Sequence, residues 1–169
     1  MPDDKVSRSA TLDDLKKIIK SLNENNAEYI LIGGYALYSH GYHRATDDID
    51  LLIPKGGCFA RPVIDALLVL EDKESGNLDP KWFDDGDTIR LADEIVVDLM
   101  FSACGETYQS LNQHVITIDV DGLAIKTLDL EGLLKTKQTV REKDVMDRIL
   151  LERAIQITQD QSGESAPTL

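Results

Sequence analysis

Residues 30–54, ILIGGYALYSHGYHRATDDIDLLIP, carry the most informative pattern in the chain. An apolar run ends at Gly33 and Gly34, and a second apolar run begins within an acidic segment that contains Asp48 and Asp50. Apolar runs of this length are typical of short buried strands. Because side chains alternate between the two faces of a strand, Asp48 and Asp50 are expected to point the same way. The sequence therefore places two adjacent carboxylates at the start of a buried strand.

The segments around this stretch predict a mixed α/β fold. A helix is expected after Thr11, an N-cap residue that is followed by acids in the first turn. The other predicted elements are a strand at 28–32, a short helix at 35–41, a strand at 48–54, a helix at 61–72, a hairpin of strands 88–92 and 94–102, a short helix at 106–113, a second hairpin over 114–128, and two helices over 129–157 broken near 138–141. We interpret this order as one α/β (α+β) domain, in which a mixed, largely antiparallel sheet is flanked by helices and followed by a small helical C-terminal part.

The chain is expected to divide into three regions. The core covers residues 1–128, and the C-terminal helices over 129–157 pack on it through an apolar face. That predicted face consists of Leu130, Leu133, Leu134, Val145, Ile149 and Leu150. The polar residues 158–169 are expected to form a disordered tail.

Composition limits the classes of protein to consider. A chain of 169 residues with 42% hydrophobic content can build one domain with its own core. The net charge of -13 repels polyanions and disfavours a protein that grips nucleic acid along its phosphate backbone. No apolar run reaches the length of a membrane span or a signal peptide, so a cytoplasmic location without a membrane partner is expected. Cys58 and Cys104 lack the spacing of a zinc site and are expected to be buried, reduced thiols.

A third carboxylate, Asp98, interrupts the apolar run IVVDLMF at 95–101. An isolated charge in a buried strand costs several kcal/mol unless a partner compensates it. If this strand lies beside the strand of Asp48 and Asp50, the three carboxylates form one cluster, and without a cation one of them would tend to keep its proton. Mg²⁺ or Mn²⁺ would neutralise such a cluster, because magnesium takes one or two carboxylates and completes its shell with water and substrate phosphates.

The glycine pair supplies a second element of the same site. Gly33 and Gly34 end a strand and open a helix, where backbone N–H groups can approach a phosphate closely. A tight structural turn explains the pair equally well when it is taken alone. The position of the pair one strand before the acids favours a cleft in which phosphate and metal meet.

These motifs resemble those of the DNA polymerase β-type nucleotidyltransferase superfamily. The matching residues are Gly33-Gly34, Arg44-Ala45-Thr46, Asp48-Ile49-Asp50 and Asp98. The stretch is most similar to small prokaryotic members, including relatives of the abortive-infection toxins of toxin-antitoxin systems. The resemblance covers residues 28–101 and is looser over the C-terminal helices, where Lys137, Arg141 and Asp144 are similar to a basic-and-acidic helix motif. Many active members carry serine where this chain has Gly34, which removes one side-chain contact with phosphate.

The resemblance implies a nucleotidyltransferase that uses Mg²⁺ (or Mn²⁺). It assigns catalysis and metal binding to Asp48, Asp50 and Asp98, with Asp98 also able to accept a proton. It assigns nucleotide binding to Gly33, Gly34, Arg44, Thr46, Lys137 and Arg141. The donor would be an NTP, ATP by default, and the acceptor a hydroxyl of a small molecule, a protein or a tRNA end. A cognate toxin or antitoxin protein would be a further partner.

Several alternatives compete with this interpretation. The chain could be a non-catalytic nucleotide-binding or toxin-antitoxin interaction protein that retains the fold. Arg44 and Thr46 could be loop anchors, and Lys137 and Arg141 could belong to a solvated helix face. A glycosyltransferase also uses Asp-x-Asp, although usually in a larger domain. A calcium loop is excluded, because apolar residues occupy positions that an EF-hand gives to a ligand and a glycine. His40 and His43 lack further metal-ligand partners and are read as ordinary histidines.

Overall fold

The computed structural model describes residues 6–164. The helices are α1 Leu12–Glu24, α2 Gly33–Ser39, α3 Ala60–Leu67, α4 Trp82–Asp85, α5 Leu130–Lys135 and α6 Glu142–Glu164. The strands are β1 Ile30–Ile32, β2 Ile49–Leu52, β3 Ile89–Ala92, β4 Val96–Met100, β5 Val115–Val120 and β6 Leu123–Leu128. Short 3-10 turns occur at Gly57–Phe59, Glu74–Asn77 and Asn112–His114. Across this described part of the chain, no helix combines the length and apolarity that a membrane crossing needs.

The six strands form one sheet in the order β3-β4-β2-β1-β6-β5. Antiparallel pairs join β1 to β2, β3 to β4 and β5 to β6, whereas β2 pairs with β4 and β1 with β6 in parallel. The predicted mixed, largely antiparallel sheet flanked by helices is confirmed. All three residues of β1 are buried, so both faces of the sheet are covered at its centre. The parallel pairing brings β2 and β4 together although α3, α4 and β3 lie between them in sequence.

Helix α1 begins where the sequence predicts. The Thr11 hydroxyl accepts a hydrogen bond from the Asp14 backbone N–H, and the Asp14 carboxylate accepts one from the Thr11 backbone N–H at 2.7 Å. This reciprocal capping box satisfies two backbone donors that would otherwise be unpaired at the helix start. The apolar residues at helical spacing, Leu15, Ile18, Ile19 and Leu22, are all buried against the rest of the core.

The predicted short helix at 106–113 is wrong. The chain makes turns there, and only Asn112–His114 forms a 3-10 turn. The Ser110 hydroxyl accepts a hydrogen bond from the Thr107 backbone N–H at 2.8 Å, and the Thr107 hydroxyl accepts one from the Ser110 backbone N–H at 3.1 Å. Such local bonds offer the backbone an alternative to helical pairing. The expected burial of both cysteines is also wrong, because Cys58 and Cys104 are free thiols with exposed surface.

Helix α6 runs to Glu164, so the expected disorder of residues 158–164 is wrong; residues 165–169 lie outside the described residues. Side-chain hydroxyls support this last part of the helix, because Thr158 donates to the Ala154 carbonyl at 3.0 Å. Polar residues of this kind are tolerated in an exposed helix once packing further back has started it.

The buried face of α6 also differs from the predicted apolar face. Ile149 is 61% exposed, whereas Leu151 and Ala154 are buried together with the acids Asp144 and Asp147. Residues three or four positions apart share one side of a helix, so the two acids and Leu151 turn inward together. The acids can be buried because basic side chains from other parts of the chain meet them there. This face of α6 closes one side of the cavity described next.

Candidate active site

Two carboxylates lie side by side on neighbouring parallel strands. Asp50 in β2 and Asp98 in β4 are direct partners in the strand register. Asp48 precedes β2 by one residue and is one-third exposed. Strand β3 contributes a fourth charged residue, because Arg90 is the register partner of Asp98 on its other side. The structure thus brings together the three aspartates that the sequence singles out, and adds an arginine.

The positive charge near Asp50 and Asp98 does not fully compensate the two carboxylates. Burial, followed by the negative charge of Asp98, raises the pKa of Asp50 to about 7, against an opposing contribution from Lys137. Burial also raises the pKa of Asp98, against the opposing charge of Arg90. Because the two side chains are register partners on adjacent strands, their negative charges oppose one another and one of the two groups tends to keep its proton. Carboxylates crowded in this way bind either a proton or a cation.

Arg90 is the cation that contacts this cluster. Its Nη2 lies 3.4 Å from Asp48 Oδ2, and its Nη1 lies 3.3 Å from Asp98 Oδ2. Within residues 6–164, no group of three or more histidine, cysteine, aspartate or glutamate side chains is arranged to hold a metal ion. These distances mean that the Arg90 guanidinium bridges two of the three carboxylates. The three aspartates by themselves do not form a complete metal-binding group.

Both glycines allow close packing around the acids. A Cβ atom on Gly33, whose φ is +74°, would lie 2.2 Å from Asp50 Oδ2. A Cβ atom on Gly34 would lie 2.6 Å from the Thr46 hydroxyl oxygen and 3.1 Å from Arg44 Nη1. Thr46 in turn donates to the Asp48 carbonyl at 3.4 Å. The absence of side chains at both positions lets the backbone at the start of α2 touch the acid-bearing loop directly.

Arg44 is held in a buried ion-pair network that sequence reasoning missed. Its Nε and Nη2 donate to the two carboxylate oxygens of Asp147 in α6, at 2.8 and 2.9 Å. Lys137 Nζ lies 3.1 Å from the same carboxylate and 3.5 Å from that of Asp144. The Asp147 side chain is only 3% exposed. Bidentate pairing of this kind fixes the guanidinium in both position and orientation.

The loop between α5 and α6 is tied to this network. Thr139 donates a short hydrogen bond to the Asp144 carboxylate. Arg148 Nη1 donates to the carbonyl oxygens of Lys137 and Thr139, at 2.6 and 2.5 Å. Arg141 lies at the outer edge, 74% exposed, with its Nε 3.6 Å from Asp144. Lys137 and Arg141 therefore differ in setting, since the first is buried in ion pairs and the second faces solvent.

Apart from Asp147 and Arg148, these residues line one cavity of about 540 Å³. Its walls include every residue that the sequence proposes for the site, namely Gly33, Gly34, Arg44, Thr46, Asp48, Asp50, Asp98, Lys137 and Arg141. They also include residues that were not anticipated, among them Thr88, Arg90, Met100, Ser102, Cys104 and Lys143. The volume lies in the range of small-molecule sites. Carboxylates at its base and cations around it suit a ligand that carries both phosphate and a bound cation.

Two of the missed residues had a signal in the sequence. TIRLA at 88–92 is the first strand of the predicted hairpin, and the strand that carries Asp98 is the second. In that hairpin Arg90 lies opposite Asp98. Asp147 lies three positions after Asp144 in a helix whose same side also carries Leu151. Two acids at this spacing on an inward-facing side require buried cations.

Comparison with known proteins adds little to the geometry. No protein-family model matches the chain, and no curated protein matches it either. Among solved structures, the chain is similar to an antigenic nucleotidyltransferase-like protein from Paracoccidioides brasiliensis. The two are 20% identical, the similarity covers 85% of this chain and 77% of that one, and the TM-score is 0.49.

Proposed function

We propose that the protein is a nucleotidyltransferase that moves a nucleoside monophosphate from an NTP to a hydroxyl group of an acceptor. The observation that carries this proposal is the register pairing of Asp50 with Asp98 at the base of a cavity that is also lined by basic side chains. Adjacent, largely buried carboxylates are costly unless a cation compensates them, and a metal-bound polyphosphate would bring that cation into the cavity.

The donor set fits Mg²⁺ or Mn²⁺. Asp48, Asp50 and Asp98 offer only carboxylate oxygens, the ligands that hard divalent cations take. Burial and the charge of Asp98 raise the pKa of Asp50, which supports a site where a cation would be favourable. When bound, the ion would neutralise charge on the nucleotide phosphates and lower the pKa of the acceptor hydroxyl. Because magnesium needs only one or two protein carboxylates, a complete protein cage is not required.

The aspartates would also handle the proton of the reaction. The acceptor oxygen forms a bond to the α-phosphorus, the bond from the α-phosphorus to the bridging oxygen breaks, and pyrophosphate leaves with that electron pair. The hydroxyl proton would pass to a carboxylate, and Asp98 is the candidate because its side chain is 14% exposed and lines the cavity. Burial raises the pKa of Asp98 and so makes its carboxylate a better proton acceptor than a solvated aspartate.

The basic residues would divide their work between positioning and contact. Arg44 and Lys137 are paired with the buried Asp147, so they would hold this wall of the cavity in position. Lys137 also opposes the rise in the pKa of Asp50. Arg141, which is mostly exposed, would contact the phosphates and the leaving pyrophosphate directly. Gly33 and Gly34 would let the phosphates approach the backbone.

The substrates belong to this proposal as well. The donor would be an NTP, ATP by default, and the acceptor a small molecule, a protein or a tRNA end. The acidic chain favours the first two, because a net charge of -13 opposes long nucleic acids. A role within a toxin-antitoxin pair follows from the resemblance of the motifs and is part of the same proposal.

One observation favours a second candidate, a non-catalytic nucleotide-binding or toxin-antitoxin interaction protein with the same fold. A guanidinium bridges two of the three carboxylates, and no ready-made metal cage is present in residues 6–164. This candidate predicts nucleotide binding without any labelled product. Incubation with each α-labelled NTP and cell extract distinguishes the two, because only the enzyme transfers label to RNA, protein or a small molecule.

The metal and nucleotide site can be tested through thermal stability. Each Mg-NTP is added to the wild type, to Asp50→Asn and to the control Asp65→Asn, whose side chain lies in α3 outside the cavity. Binding to the folded state alone raises the midpoint. We expect at least one Mg-NTP to stabilise the wild type and Asp65→Asn but not Asp50→Asn. The proposal fails if no nucleotide shifts the wild type, or if Asp50→Asn responds as the wild type does.

A further inference from the structure

Two of the arginines that line the cavity, Arg44 and Arg90, are held very differently. Arg44 makes short bidentate bonds of 2.8 and 2.9 Å to Asp147, which is 3% exposed. Arg90 makes only long contacts of 3.3 to 3.4 Å, and its side chain is 61% exposed. Contacts of that length lie beyond the usual range for charge-assisted hydrogen bonds, and exposed ion pairs are weak. Arg44 is therefore fixed in place, whereas Arg90 can be displaced.

Arg90 also lies where a cation would be needed. It reaches Asp48 with one nitrogen and Asp98 with the other, so a single guanidinium bridges two of the proposed metal ligands. Its backbone cannot move far, because Arg90 is paired with Asp98 in the β3–β4 register. Any release must come from rotation of the long side chain, which leads into the cavity that Arg90 lines.

Resting on the proposed function, we infer that Arg90 is an exchangeable counter-ion of the active site. In the metal-free protein it neutralises Asp48 and Asp98. When a divalent cation takes that position, the guanidinium turns to the polyphosphate of the nucleotide, which offers paired oxygens that suit its planar fork. A cation that binds alone displaces Arg90 from Asp48 and Asp98 and leaves the guanidinium without a partner. When a polyphosphate binds together with the cation, its oxygens become the new partner of the guanidinium. Metal and nucleotide therefore favour each other's binding, and each increases the affinity for the other by the same factor.

Two probes test this exchange, and they should respond in opposite directions. Mn²⁺ alone is titrated against the protein and followed through the free-ion electron paramagnetic resonance signal. Inorganic tripolyphosphate alone is titrated by calorimetry in EDTA. In Arg90→Gln the competing cation is gone, so we expect Mn²⁺ to bind about fivefold more tightly, the ratio expected for one or two partly exposed ion pairs. Tripolyphosphate should bind more weakly, because Asp48 and Asp98 then lack their counter-ion and repel the anion.

Arg141→Gln is the matched control. It removes one positive charge from the same cavity, but Arg141 contacts Asp144 and neither Asp48 nor Asp98. We expect Arg141→Gln to weaken tripolyphosphate binding and to leave Mn²⁺ binding within twofold of the wild type. A tighter Mn²⁺ affinity in both variants would assign the effect to net charge and overturn the exchange.

The remaining outcomes separate this inference from the proposed function. If Mn²⁺ binds the wild type and Asp50→Asn abolishes that binding, the metal site stands. If Arg90→Gln then binds Mn²⁺ no more tightly than the wild type, the counter-ion role is overturned alone. If Mn²⁺ binds none of these proteins, the proposed function itself is overturned and the exchange with it. Because the Arg90 side chain is mostly exposed, Arg90→Gln is expected to fold, with a thermal midpoint close to that of the wild type.

Discussion

Replacing Asp147 by asparagine tests the ion-pair network that closes the cavity. Asp147 receives two hydrogen bonds from Arg44 and lies 3.1 Å from Lys137 Nζ. Asparagine keeps the shape but offers only one oxygen, and its amide N–H groups must face the donors of Arg44 or Lys137. The change removes the shared anion from two cations, of which Lys137 is itself 8% exposed.

The size of the effect follows from this burial. Removing one partner of a buried ion pair costs about 3 to 5 kcal/mol, because the other charge is left uncompensated. In a domain of this size each kcal/mol lowers the thermal midpoint by about 2 to 4 °C. We therefore expect the midpoint of Asp147→Asn to fall by roughly 6 to 20 °C. Asp144, which lies 3.5 Å from Lys137 Nζ, offsets part of the loss and favours the lower end of that range.

Urea denaturation gives the free energy of unfolding of the wild type, Asp147→Asn and the control Asp65→Asn. Asp65 pairs with Arg61 one helical turn away, and both side chains are exposed, so the control should lose less than about 0.5 kcal/mol. The slope of the transition should stay unchanged if both native states are equally compact. A loss below about 1 kcal/mol in Asp147→Asn would contradict this prediction, because a buried anion shared by a buried lysine and a partly buried arginine should cost more to remove.

Three further predictions follow from the geometry and the charges. Gly33→Ala should lose about 1 to 3 kcal/mol more than Gly122→Ala in urea denaturation, because both glycines have positive φ but only Gly33 would clash, with Asp50 Oδ2 at 2.2 Å. The Arg8 guanidinium lowers the pKa of Asp14 from 3.8 to about 2. The ionised Asp14 therefore stabilises the fold fully at pH values above 3.8, and this contribution is lost as the pH falls through 2. Asp14→Asn should accordingly show a smaller loss of unfolding free energy between pH 5 and pH 2 than the wild type. Burial raises the pKa of Asp50 to about 7, so ionisation of Asp50 opposes folding increasingly as the pH rises from 4 to 7. In EDTA at pH 8, Asp50→Asn should therefore be more stable than the wild type by about 1 to 3 kcal/mol. Equal or lower stability of Asp50→Asn would contradict the raised pKa.

Much of the fold could be predicted from local patterns. The capping residues at Thr11 and Asp14 mark the start of α1, and alternating apolar residues mark both hairpins. The parallel pairing of β2 with β4 could only be assumed from the sequence, because no local pattern indicates which strands become neighbours. The end of α6 was missed because composition indicated disorder, whereas packing of its earlier turns lets the polar end continue as a helix.

The site was predictable in its acids and less so in its cations. Asp98 stood out because a charge interrupts an apolar strand, and the register places it beside Asp50. The partners of the basic residues depend on contacts between distant segments, which no spacing rule encodes. Arg44 is expected to bind phosphate, and no pattern in the sequence indicated that its Nε and Nη2 would also pair with Asp147, 103 residues away. Sequence indicates which residue types gather, and tertiary packing decides which of them are free to bind a ligand.

The bond between Arg44 and Asp147 spans 103 residues, and this separation orders the events of synthesis. Chains grow from the N-terminus at about 5 to 20 residues per second, and segments begin to pair as they emerge. All six strands are complete at Leu128, before α6 begins at Glu142. A nascent chain can therefore form the whole sheet, including the Asp50 and Asp98 pair, while Arg44 and Lys137 still lack their shared anion. The cavity gains its last wall only when α6 docks, so a ribosome-bound chain holds the acids of the site without the arrangement of cations that would position a nucleotide.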